Sequence, residues 1–212
     1  MKQEDTKNLI IQKALDLFSE RGYDAVSVDQ IAKEVGIKAP SLYNHYPSKQ
    51  AIFDAIFEDV AKRYEEDTDK IDIHVQNVAQ DVPSFNGISV EDLIEKVHGI
   101  FFYSLHDEKV RKFRKMMTIE QFRTSKIAQL YSQRYVDRIV AYHSDIFKNL
   151  IAAGELLSAN PDTLALMYVA PVITLIGVCD RQPEREEECV QKLDEHVRLF
   201  FDVFNVRRGK IK

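Results

Sequence analysis

The sequence predicts an all-α protein with a small N-terminal helix-turn-helix domain of three helices and a larger helical C-terminal domain. Three observations carry that expectation. Helix breakers are few, with 7 glycines and 6 prolines in 212 residues. Apolar residues recur at helical spacing, and strand-like alternation is scarce. The chain is also long enough to bury a substantial core.

The elements follow in order. Ile10, Ala14, Leu17 and Phe18 form one face of a first helix, which stops near Gly22. Ser27 with Gln30 matches a capping box and starts a second helix. Its stripe is Val28, Ile31, Ala32 and Val35, and Gly36 follows where a helix ends in the left-handed region. Pro40 suits the first turn of a third helix, which Pro47 must stop. Ser48 can cap a fourth helix, burying Ile52, Ile56, Phe57, Val60 and Tyr64. Two short helices around a glycine turn, braced by longer ones, make a helix-turn-helix unit.

Beyond Asp69 the pattern loosens, and residues 71–87 read as a loop. Periodicity returns at Ser89, with helices expected over 90–106, 108–117, 120–153, 161–179 and 184–204. The expected division is a domain over residues 1–50 and a second over 51–212.

Composition narrows the possible roles. A net charge of -5 argues against coating nucleic acid indiscriminately, which needs a broad positive field, but leaves room for a small local binding surface. The N-terminal stretch MKQEDTKNLIIQ has no long apolar region and does not read as a signal peptide. The longest apolar run, Leu164 to Cys179, is short for a membrane span and contains Pro171, so it reads as a buried helix. Cys179 and Cys189 show neither a pairing framework nor metal spacing, which suits a cytoplasmic protein. No GxSxG elbow, P-loop, HExxH or Cys/His cluster occurs, so neither an enzyme nor a metal or other cofactor is expected.

The stretch VGIKAPSLYNHYPSKQAI concentrates polar and aromatic side chains that a core cannot use. Leu42 and Tyr46, four residues apart, face inward; Lys38, Ala39, Ser41, Tyr43, Asn44 and His45 surround the free face. Lys49 and Ser27 sit at helix starts, where free N–H groups attract a phosphate. Taken singly, Tyr43 reads as a half-buried packing tyrosine and His45 as a surface histidine; their spacing within one capped unit favours duplex DNA as the partner. Lysines number three between Ser27 and Ile52, with no arginine, so the bidentate arginine–guanine contact is missing there. A modest salt dependence follows, with specificity resting on Lys38, Asn44, apolar thymine contacts and DNA shape.

From Lys7 to about Phe57 the pattern ALDLFSERGYDAVSVDQIAKEVGIKAPSLYNHYPSKQAIF resembles the DNA-binding domain of the TetR family of bacterial transcription regulators. The resemblance implies a homodimeric, effector-released repressor on a palindromic operator. It makes Ser27, Tyr43, His45 and Lys49 backbone-positioning residues, and Lys38, Ala39, Ser41 and Asn44 candidates for base contact. Lys38 stands where the family often has a serine or threonine cap. A transcriptional activator of the same architecture, or a helical small-molecule-binding protein without a DNA role, are the alternatives.

In the C-terminal domain the helix over 161–179 is apolar nearly all round, and the one over 184–204 adds Val190, Leu193, Val197, Phe200, Phe201 and Phe204. Both together suit a homodimer interface, with a deep monomeric core as the alternative. Candidates for lining a pocket for a small-molecule effector of unknown identity are His98, Phe102, Met116, Phe122, Tyr135, Tyr142 and Tyr168, residue types that equally build ordinary cores. The basic segment 108–126 reads as a solvated helix face, with an anion site as the alternative.

Overall fold

The computed structural model describes residues 3–69, 74, 77–123 and 125–206. It is all-α: among the described residues the only pairing outside helices is an isolated bridge between Leu156 and Asn205. The chain divides into two compact units, residues 1–64 with 108–131 and residues 65–107 with 132–212. That division differs from the expected boundary at residue 50.

The first unit opens with α1 (Gln3–Arg21), α2 (Val28–Val35), α3 (Ala39–Tyr43) and α4 (Lys49–Asp69). Ile10, Ala14 and Phe18 of α1 are fully buried, as are Ile52, Ile56 and Val60 of α4, so α4 belongs to this core. Tyr23 packs its ring against Phe18 and Phe53 at 5.2 and 5.3 Å between centroids. Tyr64, expected on the buried face of α4, lies outside the described side chains.

A fifth element completes this unit from far along the chain. Helix α7 (Glu108–Glu120) packs on α1 and buries Phe113, Met116 and Met117 completely. Phe113 meets Phe57 of α4 edge-on at 5.7 Å. Three large side chains on one short helix bind it firmly to this core, at about 1.5–3 kcal/mol each.

The second unit contains α5 (Val78–Phe85), α6 (Val90–His106), α9 (Arg138–Ala152), α10 (Pro161–Arg181) and α11 (Glu186–Phe204). Helix α8 (Ser125–Ser132) runs into α9 through a π-helical stretch, Gln133–Asp137. The expected start at Ser89 and break at Asn160–Pro161 hold as N-caps: Ser89 accepts from Asp92 N at 3.1 Å, and Asn160 accepts from Thr163 N at 2.9 Å ahead of Pro161. Helix α9 packs on α10, and α10 on α11 and α6.

Two local expectations give way to tertiary packing. The stretch expected as a loop contains α5, despite Pro83 inside it. Asp81 offsets that defect: its buried carboxylate accepts from Tyr142 Oη, from His74 N and from the His74 ring, while Val78, Val82 and Phe85 pack on the core. The single helix expected over 120–153 is instead broken after Glu120 by a turn at residues 121–123.

Cys179 and Cys189 lie together in the core between α10 and α11. Burial and the neighbouring Cys189 thiol push the Cys179 thiol up to about 12.

Candidate functional site

The exposed surface of the first unit is built by short-range signals. Ser27 is extended (φ -92°, ψ 159°) and accepts from Gln30 N at 3.2 Å, while Gln30 Oε1 accepts from Ser27 N at 2.7 Å. This closes the capping box and starts α2 in register. At its far end Gly36 adopts φ +78°, and the Ile37 N–H reaches Ala32 O at 2.9 Å. That is a Schellman stop. A Cβ at Gly36 would meet nothing within 4 Å, so the backbone angle alone calls for glycine.

Helix α3 starts without a side-chain cap. Lys38 holds the N-cap position in extended conformation, makes no cap hydrogen bond, and Pro40 sits in the first turn. Leu42 is fully buried, whereas Lys38, Ser41 and Asn44 are exposed and Tyr43 is 50% exposed. Ala39, His45 and Tyr46 are half-buried. Burial is the main cause holding the Tyr46 phenol above its ordinary value. The result is a convex face of about one and a half turns, seated by one leucine.

His45 and Lys49 sit differently from their neighbours. His45 Nδ1 is buried with no hydrogen-bond partner among the described residues. Lys49 Nζ donates to Tyr23 O at 2.8 Å and Val26 O at 2.9 Å, and lies 4.2 Å from the centre of the Tyr23 ring. Its charge therefore staples the α1–α2 turn to the start of α4. Ser48, just ahead, caps α4 by accepting from Ala51 N at 3.0 Å.

Helix α7 supplies the part that sequence reasoning missed. Glu120, 1% exposed, accepts from Tyr23 N at 2.9 Å. Gly22 turns there with φ +81°, and a Cβ on it would come within 2.8 Å of Glu120 Oε1. Arg123 bridges Glu120 and Asp24 at 3.3 and 3.2 Å. Lys112 contacts Asp16 at 2.6 Å, the hydrogen bond that chiefly raises its ammonium pKa, and Lys109 pairs with Asp59. The basic segment is thus not a simple solvated face: Lys109, Lys112 and Arg123 brace α7 against α1, α4 and the turn. Arg111 and Lys115 are exposed, and the Lys126 side chain lies outside the described residues. A spacing pattern could not show this, because three of the acidic partners, Asp16, Asp24 and Asp59, come from far earlier in the chain.

In the second unit a cavity of about 50 Å³ lies among Phe85, His143, Phe147, Glu155, Tyr168 and Phe200. Of the seven residues expected at a pocket, only Tyr168 lines it. Tyr142 donates to Asp81, His98 pairs with Asp194 at 2.6 Å, and Phe102 packs between the His98 and His106 rings. Tyr135 is half-buried in the π-helical stretch. Met116 is core of the first unit, and Phe122 stands 90% exposed on the turn after α7. The missed residues, Phe85, Phe147 and Glu155 among them, converge from four separate segments, so no local pattern marks them.

Burial dominates the cavity's electrostatics. It lowers the His143 pKa to about 4 and raises that of Tyr168. His143 Nδ1 lies 2.8 Å from Ile139 O, so the neutral ring carries its proton there and Nε2 is an acceptor. No group of three or more metal-ligating side chains occurs among the described residues.

Residues 10–56 match the family described as bacterial regulatory proteins, tetR family. The N-terminal module is a tetR-family module. Over 48 residues it is 52% identical to the biofilm operon icaADBC negative transcriptional regulator IcaR of Staphylococcus aureus, a match covering 23% of this chain and 26% of IcaR. The chain thus matches only about a quarter of the length of its curated relatives. Beyond the tetR-type module the likeness is one of fold. SmeT, repressor of the Stenotrophomonas maltophilia multidrug efflux pump SmeDEF, superposes with TM-score 0.64 at 18% identity, covering 94% of this chain and 90% of SmeT. NalD, the secondary repressor of the Pseudomonas aeruginosa MexAB-OprM pump, gives 0.66 at 18%, covering 97% and 99%.

Proposed function

We propose that this protein is a non-enzymatic, ligand-responsive repressor of transcription that binds a palindromic operator as a homodimer in the cytoplasm. The observation that carries this reading is the α2–Gly36–α3 unit. It is capped at its start, stopped by a left-handed glycine, and presents Lys38, Ser41, Tyr43 and Asn44 outward above a buried Leu42. In a major groove such a face meets base edges and phosphates. Lys38, Ala39, Ser41 and Asn44 take the base contacts, Asn44 by pairing with an adenine. Ser27, Tyr43 and His45 position the backbone. Lys49 acts by holding the turn in shape, since its ammonium group is already occupied.

Dimerisation is assigned to α10 and α11. Leu166 and Met167 on α10, and Leu199 and Val203 on α11, are each at least half exposed. Such faces call for cover by a second copy. Helix α10 is long and apolar enough to cross a membrane by composition, and a partner subunit is the cover that suits a DNA-binding role. The aromatic cavity is the effector site. SmeT is also known as a triclosan complex, and a ligand here is read by analogy.

The deciding experiment is selection of random duplex DNA by protein refolded free of ligand, with complex mass recorded and Asn44→Ala in parallel. A palindrome bound by dimers and weakened by that substitution is the expected result. A folded protein that enriches no sequence at low salt would sink the reading.

A further inference from the structure

We infer that the cavity of the second unit takes a small uncharged phenol, its hydroxyl held by Tyr168 and His143 and its ring packed among the phenylalanines of the wall. The inference rests on the effector-site reading above and adds the chemistry of the ligand.

Two polar side chains on the wall lack part of their hydrogen bonding. Tyr168 is only 5% exposed and lines the cavity, yet its Oη has no hydrogen-bond partner among the described residues. His196 Nε2 lies 2.8 Å from the Tyr168 backbone carbonyl, which fixes the residue and leaves the hydroxyl unmatched. His143 bonds through Nδ1 alone, to Ile139 O at 2.8 Å, so its Nε2 lone pair is unused. Neither atom is among those the fold encloses without a partner, as it does His45 Nδ1, so each reaches the cavity space. A buried polar group left unmatched is costly, and a tyrosine hydroxyl in apolar surroundings calls for a partner. Glu155 and Asn205, the other polar lining residues apart from these two, have interactions of their own within the fold.

The two unmatched atoms have opposite needs. Burial raises the pKa of the Tyr168 phenol, so Oη keeps its proton and donates. Burial also lowers His143 to about 4, so at pH 7 the ring is neutral and Nε2 accepts. A hydroxyl donates and accepts at once, and is the smallest group that answers both. The two ring centres are 5.3 Å apart, within the span of one small molecule. Neither residue carries a charge for an ionic ligand to pair with, so the uncharged form is the one that fits them.

The wall sets the rest of the ligand. Phe85, Phe147, Phe200 and Phe201 bring four benzene rings to one small space. Phe147 and Phe200 stack at 5.5 Å, and Tyr168 lies 4.9 Å from Phe200. A further aromatic ring gains both burial and offset or edge contacts there. A space of about 50 Å³ has room for roughly four waters, the scale of a single ring and not of a fused system.

The test uses the full chain, with phenol as the ligand and toluene, which carries a methyl group in place of the hydroxyl, as the control. Calorimetric titration and thermal unfolding are recorded for wild type and for Tyr168→Phe, which removes the hydroxyl and keeps the ring. Phenol is expected to bind wild type about tenfold tighter than toluene, although toluene leaves water more readily. In Tyr168→Phe that gap should shrink by about fivefold or more. Toluene binding as tightly as phenol, a gap unchanged in Tyr168→Phe, or no binding of phenol by the folded protein overturns the inference. The comparison of two ligands on unaltered protein holds even if the variant misfolds. Retention of a selected DNA duplex is measured on the same samples, with and without phenol. Protein that holds DNA but shows no preference for phenol loses only the ligand assignment. Phenol bound through Tyr168 with DNA undisturbed keeps that assignment and removes the effector role; protein that holds no DNA loses the regulator reading whatever phenol does.

Discussion

The two units build their surfaces in opposite ways. The face of α3 is convex, specified by signals that lie within a few residues of one another: Ser27 with Gln30, Gly36 with Ala32, Pro40 beside Lys38. The cavity of the second unit is concave and draws Phe85, Phe147, Glu155 and Phe200 from segments spread over more than a hundred residues of chain. A convex reading head can thus be encoded as local geometry with side chains added, whereas a concave site depends on how whole helices pack.

The largest expected effect tests how far the convex face depends on one anchor. Leu42→Ala should cost about 2–5 kcal/mol of the first unit's stability and abolish operator binding, because a five-residue helix has no second fully buried side chain. Denaturant unfolding combined with DNA retention measures both. Full DNA affinity in that variant would show that α3 is held by something other than its leucine.

A pH titration probes the concave side. His143 has a folded pKa near 4 against an ordinary value of 6.5, so between those values the unfolded chain binds more protons. Stability should then fall as pH drops from about 6.5 towards 4, by up to about 3 kcal/mol. His143→Phe should flatten that part of the curve in thermal unfolding measured at successive pH values. An unchanged slope would place the sensitivity on another group.

Glu120→Ala tests the non-local element within the otherwise local unit. Losing the acceptor for Tyr23 N should cost about 1–3 kcal/mol, and hydrogen exchange at the α1–α2 turn should quicken. Glu120→Gln, which keeps an acceptor oxygen, should restore most of the protection. The smallest effect belongs to the cap: Ser27→Ala should cost about 1 kcal/mol, read from the unfolding midpoint.

Legibility from sequence follows the same divide. The boundaries of α2, the glycine stop and the exposure of Lys38, Ser41, Tyr43 and Asn44 were readable because each rests on contacts within one or two turns, whereas Ala39 and His45, also expected outward, are half-buried. The role of Glu120 was not, since its partner Tyr23 is 97 residues away. Lys49 looked like a phosphate ligand by position, and only the Tyr23 and Val26 carbonyls explain why its charge turns inward. Helix α5 was hidden by Pro83, whose local penalty is outweighed by Asp81 and its three donors. The expected pocket set scatters for a related reason: aromatic composition does not say which rings face a void, so Tyr168 lines the described cavity while Phe122 faces solvent and Met116 lies in the core of the first unit.

The buried pair Cys179 and Cys189 has a practical consequence. They are the only two cysteines in the chain, both are enclosed, and the Cys179 thiol is held up near 12. Maleimide-type reagents attack thiolates, so the native protein should remain almost silent to them. A single cysteine placed at exposed Lys115 or Ser158, outside the faces assigned to DNA and to the second copy, would then be a unique handle for a spin label or fluorophore, with no need to strip the core thiols first. Paired labels on two copies would report subunit spacing directly, with and without DNA.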